Sequence, residues 1–181
     1  MSTRDIVHIA LFAAFTAALG LFPPVTLPLT GVPITAQSMG PMLAGAIIGA
    51  RKGFLSQALL LVLVAAGLPL LAGGRGGFGV FLGPTGGFLL GWAISAWLIG
   101  WLFERNWRNL TALKATAYIF IGGIPALYLI GTAWVAVVVD LSYMQALLAN
   151  APFVAGDLVK VAIATIVAMT VRRAYPMMAR A

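Results

Sequence analysis

Long apolar runs, separated by short breaks rich in charge, proline or glycine, set the pattern of this chain. The first runs from Ile6 to Phe22 and stops at Pro23-Pro24. The stretch from Val25 to Gln37 stays apolar, but Pro28 and Pro33 keep it from forming a regular helix. A short run, Met39 to Ala50, ends at Arg51-Lys52, and Gly53 to Ala72 follows. After the glycine cluster around Arg75 come Gly86 to Phe103, then Ala115 to Val139, and lastly Val154 to Val171. A membrane-spanning helix needs about 20 apolar residues, with roughly 17 to 25 tolerated. The pattern predicts an all-α integral membrane protein, a single membrane domain over residues 1–181 with six transmembrane helices.

Composition supports lipid as the solvent. Only 8% of the residues are charged against 62% hydrophobic, and the mean hydropathy is +1.05. A soluble domain carries about a quarter charged residues. The net charge of +7 would fit a nucleic-acid partner, but the basic residues lie singly or in pairs between apolar runs, with no basic stripe. Their order fits orientation in a membrane instead. With six spans, Arg4, Arg51, Lys52, Arg105, Arg108, Lys114, Arg172, Arg173 and Arg180 all fall on one side. Arg75 falls on the other side and Lys160 within a span. The positive-inside rule then places both termini in the cytoplasm. The first run leads into a proline-rich turn without a small-residue cleavage signal, so it reads as a retained helix.

Few residues offer chemistry. There is no cysteine and a single histidine, His8, which removes thiolate chemistry and leaves no second imidazole to share a metal. No phosphate-binding G-x-x-x-x-G-K-[ST], H-E-x-x-H or G-x-S-x-G motif is present. Asp157 and Lys160 are the strongest signal: two ionisable residues in one span, three apart and so on one helical face. They read as a ligand site with one acceptor and one cation, or as an internal pair, or as a helix cap beside a snorkelling lysine. Gly74-x-Gly76-x-x-Gly79 resembles a dinucleotide fingerprint only formally, because no βαβ unit surrounds it. Tight backbone that can approach a small ligand is the better reading, with Arg75 as its cation. Thr35 and Gln37 are polar residues able to orient a ligand or to cap the second helix. Ala10, Ala14 and Ala18, with Ala13 and Ala17 beside them, repeat at the spacing that lets another helix approach closely.

Several blocks together resemble a known family. Gly31-Val-Pro-Ile-Thr-Ala-Gln37 and Leu43-Ala-Gly-Ala-Ile-Ile-Gly49 look like the first half of BioY proteins. So do Gly67-Leu-Pro69, Ala72-Gly-Gly74, Gly83-Pro-Thr-Gly-Gly87 and, opening the final helix, Gly156-Asp-Leu-Val-Lys160. The resemblance covers nearly the whole chain. It implies a six-helix S component of an energy-coupling factor (ECF) transporter, multi-pass in the bacterial inner membrane, that captures biotin at the outer face. It also implies partner chains, a transmembrane coupling subunit and ATPases, in keeping with the missing nucleotide motif. Asp157, Lys160 and a polar residue of the loop after the third helix become the expected ligand contacts. An asparagine is expected in that loop, and Arg75 is the candidate here. Ala10, Ala14 and Ala18 become docking candidates for the coupling subunit. An S component for another vitamin such as thiamin, a membrane enzyme using Asp157, and a ligand-free structural subunit are the competing readings.

Overall fold

The structure is a computed structural model, and it describes residues 1–26, 30–175 and 178. Pro28 and Arg180 lie outside the described residues. Each of the six apolar runs contains helix, but the third leaves its helix after Ala65, short of Ala72, where Gly67 takes φ +108°. Helix α1 (Thr3–Ala18) starts at a capping box, in which the Ser2 side chain accepts from the Asp5 N–H and Asp5 answers to the Ser2 backbone. A 3-10 turn extends it through Leu21 before Pro23 stops it. The chain then makes a short antiparallel hairpin, β1 (Val25–Thr26) with β2 (Pro33–Ile34), so this proline-rich segment carries more order than expected from its sequence.

Helices α2 (Met39–Ile48) and α3 (Ala50–Ala65) meet at Gly49, which closes one and opens the next with φ +86°. Only glycine adopts this conformation without strain. Arg51 and Lys52 therefore sit in the first turn of α3, not in a loop. Cations there oppose the helix dipole. The carboxylate of Glu104 offsets this by accepting from the Ala50 N–H at 2.8 Å, and Lys52 pairs with Asp5 at 3.4 Å. A short helix α4 (Gly79–Leu82) precedes α5 (Gly86–Arg105). The run expected as one helix, Ala115 to Val139, is two: α6 (Ala112–Gly123) and α7 (Pro125–Val138), broken at Ile124 because Pro125 has no N–H to continue the ladder. Helix α8 (Tyr143–Ala149) begins at a second capping box, and α9 (Ala151–Ala174) completes the chain.

Among the described residues four helical segments are long and apolar enough to cross a membrane: Thr3–Leu21, Gly86–Arg105, Ala112–Val138 and Ala151–Ala174. At 1.5 Å per residue, the 10 residues of α2 and the 16 of α3 reach about 15 and 24 Å, less than the ~30 Å hydrocarbon core. Helix α2 is the hub of the bundle. Nine of its ten residues are buried, against α1, α3, α5, α6 and α9. Small residues make this possible. A side chain on Gly45 would meet the Ala96 carbonyl at 2.3 Å, and one on Gly40 would meet Thr16. Where α5 crosses the α2–α3 junction, a Cβ on Gly100 would lie 2.3 Å from the Ala50 nitrogen. Without a hydrophobic driving force between helices in lipid, such close backbone packing is what holds them together.

Contacts sort the two ends of the bundle. At one end Arg4 donates to the Tyr175 hydroxyl. Arg172 donates to the Trp107 and Leu110 carbonyls at 2.7 and 3.1 Å, with its guanidinium over the Trp107 ring. The Lys52–Asp5 pair and the Glu104 cap lie at this end too. The hairpin and the loops after α3 and α4 gather at the other. Arg75 is at that second end. Gly100→Ala is expected to force the α5 backbone off Ala50 and cost on the order of 1–3 kcal/mol, seen as a lowered Tm in detergent with the helical content of the remaining folded protein unchanged.

Candidate functional site

Helix α9 begins at Ala151, with Pro152 presetting its first turn, and carries Asp157 and Lys160 further along. Asp157 is thus inside the helix, and Asn150 holds the N-cap position. Asp157 is 4% exposed, and both its carboxylate oxygens are engaged. Lys160 Nζ donates to Oδ1 at 2.7 Å. The Tyr128 hydroxyl of α7 donates to Oδ2 at 2.8 Å. Ser38, just before α2, bridges the pair: it accepts from Lys160 Nζ at 2.9 Å and its hydroxyl faces Asp157 Oδ1 at 3.4 Å. A charge within a membrane protein needs such partners, since no water supplies them. Two helices, α7 and α9, and the segment after the hairpin therefore converge on one carboxylate.

This cluster lines a cavity with aromatic walls. Phe88 and Trp92 of α5, Tyr128 of α7 and Phe153 of α9 line it, together with Thr35, Thr85 and Arg75. Phe88 meets Tyr128 edge to face at 5.9 Å and Phe153 at 6.2 Å. Its lining is mostly apolar, with the few polar groups set apart at particular points, the usual make-up of a small-molecule site.

The loop after α3 closes one side. Leu71 and Arg75 pair through their backbones around Gly73 and Gly74, both in the left-handed region at φ +77° and +70°. Beyond the turn, a Cβ on Gly76 would strike the Leu68 carbonyl at 2.3 Å. The glycines therefore serve a tight fold-back. Arg75 donates from Nε to the Ala72 carbonyl at 3.2 Å and from Nη1 to Thr85 Oγ1 at 3.3 Å. Burial lowers its pKa from the usual guanidinium value. The Gly83–Gly87 block is held in turn by Trp134, whose indole N–H donates to the Gly83 carbonyl at 2.9 Å.

The residues singled out from the sequence separate here. Asp157, Lys160 and Arg75 face one cavity, and Thr35 lines it. Gln37 borders it too, but its amide serves the backbone. Its Nε2 donates to the Thr16 and Leu70 carbonyls, and its Oε1 accepts from the Ala72 N–H at 2.7 Å. Neither Thr35 nor Gln37 caps a helix with its side chain. Ala10, Ala14 and Ala18 lie elsewhere, exposed on the outer face of α1, while Ala13 and Ala17 turn inward. Ser38 and Tyr128 escaped the sequence reading. A tyrosine within an apolar run reads as core, and a serine before a helix reads as a cap. Only their meeting with Asp157 gives them a role.

Comparison with known proteins sets this geometry in a family. The model of the BioY family matches residues 1–177. The chain belongs to the BioY family. It is 45% identical to a protein from Rhizobium etli named biotin transporter BioY, over 98% of each chain. It is 43% identical to a probable biotin transporter BioY from Bacillus subtilis, over 94% of this chain and 91% of that one. Its fold superposes with a TM-score of 0.90, at 27% identity over 96% of this chain and 95% of the other, on the crystal structure of the S component for biotin from an ECF-type ABC transporter. With four helices long enough to span lipid and this kinship, it is a multi-pass membrane protein.

Removing one member of the buried pair tests the site's electrostatics apart from any ligand. Lys160→Met leaves Asp157 buried with an unpaired charge and is expected to cost about 3–5 kcal/mol. Asp157→Asn with Lys160→Met is expected to recover most of that loss, measured as Tm in detergent. Equal losses in the single and double variants would refute the pairing.

Proposed function

We propose that this chain is the biotin-binding S component of an ECF-type importer, capturing biotin at the outer face for uptake driven by partner ATPases. The observation that carries this reading is the buried Asp157–Lys160 pair, braced by Tyr128 and Ser38 in the lining of an aromatic cavity. Relatives named biotin transporters along nearly the whole length support the choice of vitamin. So does the likeness to an S component for biotin. The transporter names also weigh against a membrane enzyme.

The residues suit the ligand's chemistry. Biotin presents two ureido N–H donors and one carbonyl on a compact bicycle, and a chain that ends in a carboxylate. Asp157 accepts from a ureido N–H, and Lys160 donates to an oxygen of the ligand. Phe88, Trp92 and Phe153 pack the apolar rings. Arg75 and Thr35 supply further polar contacts nearer the mouth. Buried charges discriminate strongly, because an analogue lacking the matching group leaves one unpaired. The cavity is small, about 50 Å³, against several hundred for typical ligand sites. Entry of a bicycle therefore requires a wall to move. The Arg75 loop, whose guanidinium is tethered by two hydrogen bonds of 3.2 Å or longer, is the wall we assign to that motion.

In this reading α1, α2, α3, α5, α6–α7 and α9 give six crossings, with both termini and the basic end in the cytoplasm. The ligand site then opens outward. The exposed Ala10, Ala14 and Ala18 face of α1 receives the coupling subunit, with small side chains admitting its helices closely.

Calorimetry on the purified, detergent-solubilised chain tests the ligand and the site together. Tight one-to-one binding of biotin is expected. Asp157→Asn or Lys160→Ala should each weaken it by more than about tenfold, roughly 1.4 kcal/mol. Binding that ignores both substitutions would retain the vitamin and move the site. No binding by folded, ligand-free protein would overturn the vitamin, and a panel that includes thiamin would follow.

Docking separates from capture. Ala14→Trp should leave biotin affinity unchanged within about twofold, since α1 lies outside the cavity, and should abolish co-purification with the coupling subunit. Retained co-purification would place the docking face elsewhere.

A further inference from the structure

A second concave surface lies away from the ligand cavity, at the basic end of the bundle between α3 and α5. It is an open groove of about 520 Å³, lined by Arg51, Phe54, Ile94 and Trp97 among others. Its walls are apolar and uncovered: Phe54 is 39% exposed, Ile94 43% and Trp97 46%. Trp97 stacks on Trp101, with ring centroids 6.3 Å apart and planes 13° from parallel. The Arg105 guanidinium covers the Trp101 ring at 5.4 Å. An aromatic ledge therefore runs along α5 from the groove to a cation at the helix end.

The charges at this end do not cancel. Helices α3 and α5 are antiparallel here, because the start of α3 meets the end of α5 at Ala50 and Glu104. Arg51 and Arg105 thus belong to the same end. The two nearby acids are already committed: Asp5 to Lys52, and Glu104 to the first turn of α3. Among the described residues neither Arg51 nor Arg105 forms an ion pair. The groove itself holds an apolar floor, Trp97 and one cation, Arg51. The Trp97–Trp101 stack, of the kind found at membrane interfaces, leads from it to a second cation, Arg105, and neither arginine has a carboxylate partner among the described residues.

We propose that this groove is a binding site for an anionic phospholipid. An acyl chain lies against Phe54, Ile94 and Trp97, and the phosphate headgroup is held by Arg51 and Arg105. Basic pockets between helices at the positively charged side of membrane proteins suit such headgroups. Charge complementarity selects an anionic lipid over a zwitterionic one, whose ammonium repels the same arginines. The site is separate from the vitamin cavity and does not depend on which vitamin is bound.

Native mass spectrometry of the full chain, released from an equimolar mixture of phosphatidylglycerol and phosphatidylcholine, tests this. The unmodified protein should retain phosphatidylglycerol at least about fivefold over phosphatidylcholine. Arg51→Gln with Arg105→Gln should abolish the preference. Lys114→Gln with Arg173→Gln, the same change of charge on α6 and α9, should preserve it. Trp97→Ala should lower retention of both lipids. Absence of preference in the unmodified protein, or equal loss in both double variants, would overturn the proposal. So would displacement of the lipid by millimolar inorganic phosphate, which would mark a bare anion site. A lipid-free oligomer broken by the Arg51 and Arg105 changes would assign the groove to a second copy of the chain instead.

Discussion

Every backbone polar group that this chain takes into the membrane must find its partner inside the protein. That constraint shapes the fold more than any single contact. Helices satisfy it for most of the backbone, but the hairpin and the loops after α3 and α4 have no such ladder. Gln37 shows how the gap is closed. One buried amide serves the Thr16 carbonyl at the end of α1 and the Leu70 and Ala72 groups of the loop after α3. Trp134 does the same for Gly83, and Arg172 for the turn between α5 and α6. Side chains thus stand in for the water that a soluble protein would use at its loops.

The same constraint explains how the candidate site is built. A carboxylate inside the bundle is costly unless compensated, so Asp157 is held from α9 by Lys160, from α7 by Tyr128 and from the start of α2 by Ser38. Compensation and preorganisation are one arrangement here. The groups that make the charge tolerable also fix its direction. The remaining walls are aromatic and need no partners, which leaves polarity concentrated where a ligand's own polar groups must meet it. Breaking α6–α7 at Pro125 belongs to the same design, since Tyr128 lies in the first turn of the new helix.

Packing rests on a different means. Helix α2 is too short to cross lipid alone and is buried almost all round, so it behaves as a core element within a membrane bundle. Glycine at positions 40, 45 and 100 lets neighbouring backbones approach it and its junction with α3. The apolar surface left over, from Ile6 and Leu11 on α1 to Ile163 and Ile166 on α9, faces outward, as lipid requires.

Much of this was legible in the order of residues. Apolar run length placed the helices, because the bilayer sets a length that short-range chemistry must meet. Two ionisable residues three apart within one run announced the site, because lipid makes them too costly to keep without a use. Recurring blocks pointed to the family. The partners of those charges were not legible. Ser38 is 119 positions from Asp157, and Tyr128 is 29 away on another helix. No local period connects them, and each has an ordinary role in its own segment. That Gln37, which lines the cavity, also commits its amide to three backbone groups was not legible either. The two alanine rows of α1 were indistinguishable until packing turned Ala13 and Ala17 inward and left Ala10, Ala14 and Ala18 exposed. The sequence by itself determined what must leave water and which stretches become helical. Which polar groups meet was decided only by the tertiary structure, because a hydrogen bond depends on distances of a few tenths of an ångström between segments remote in the chain.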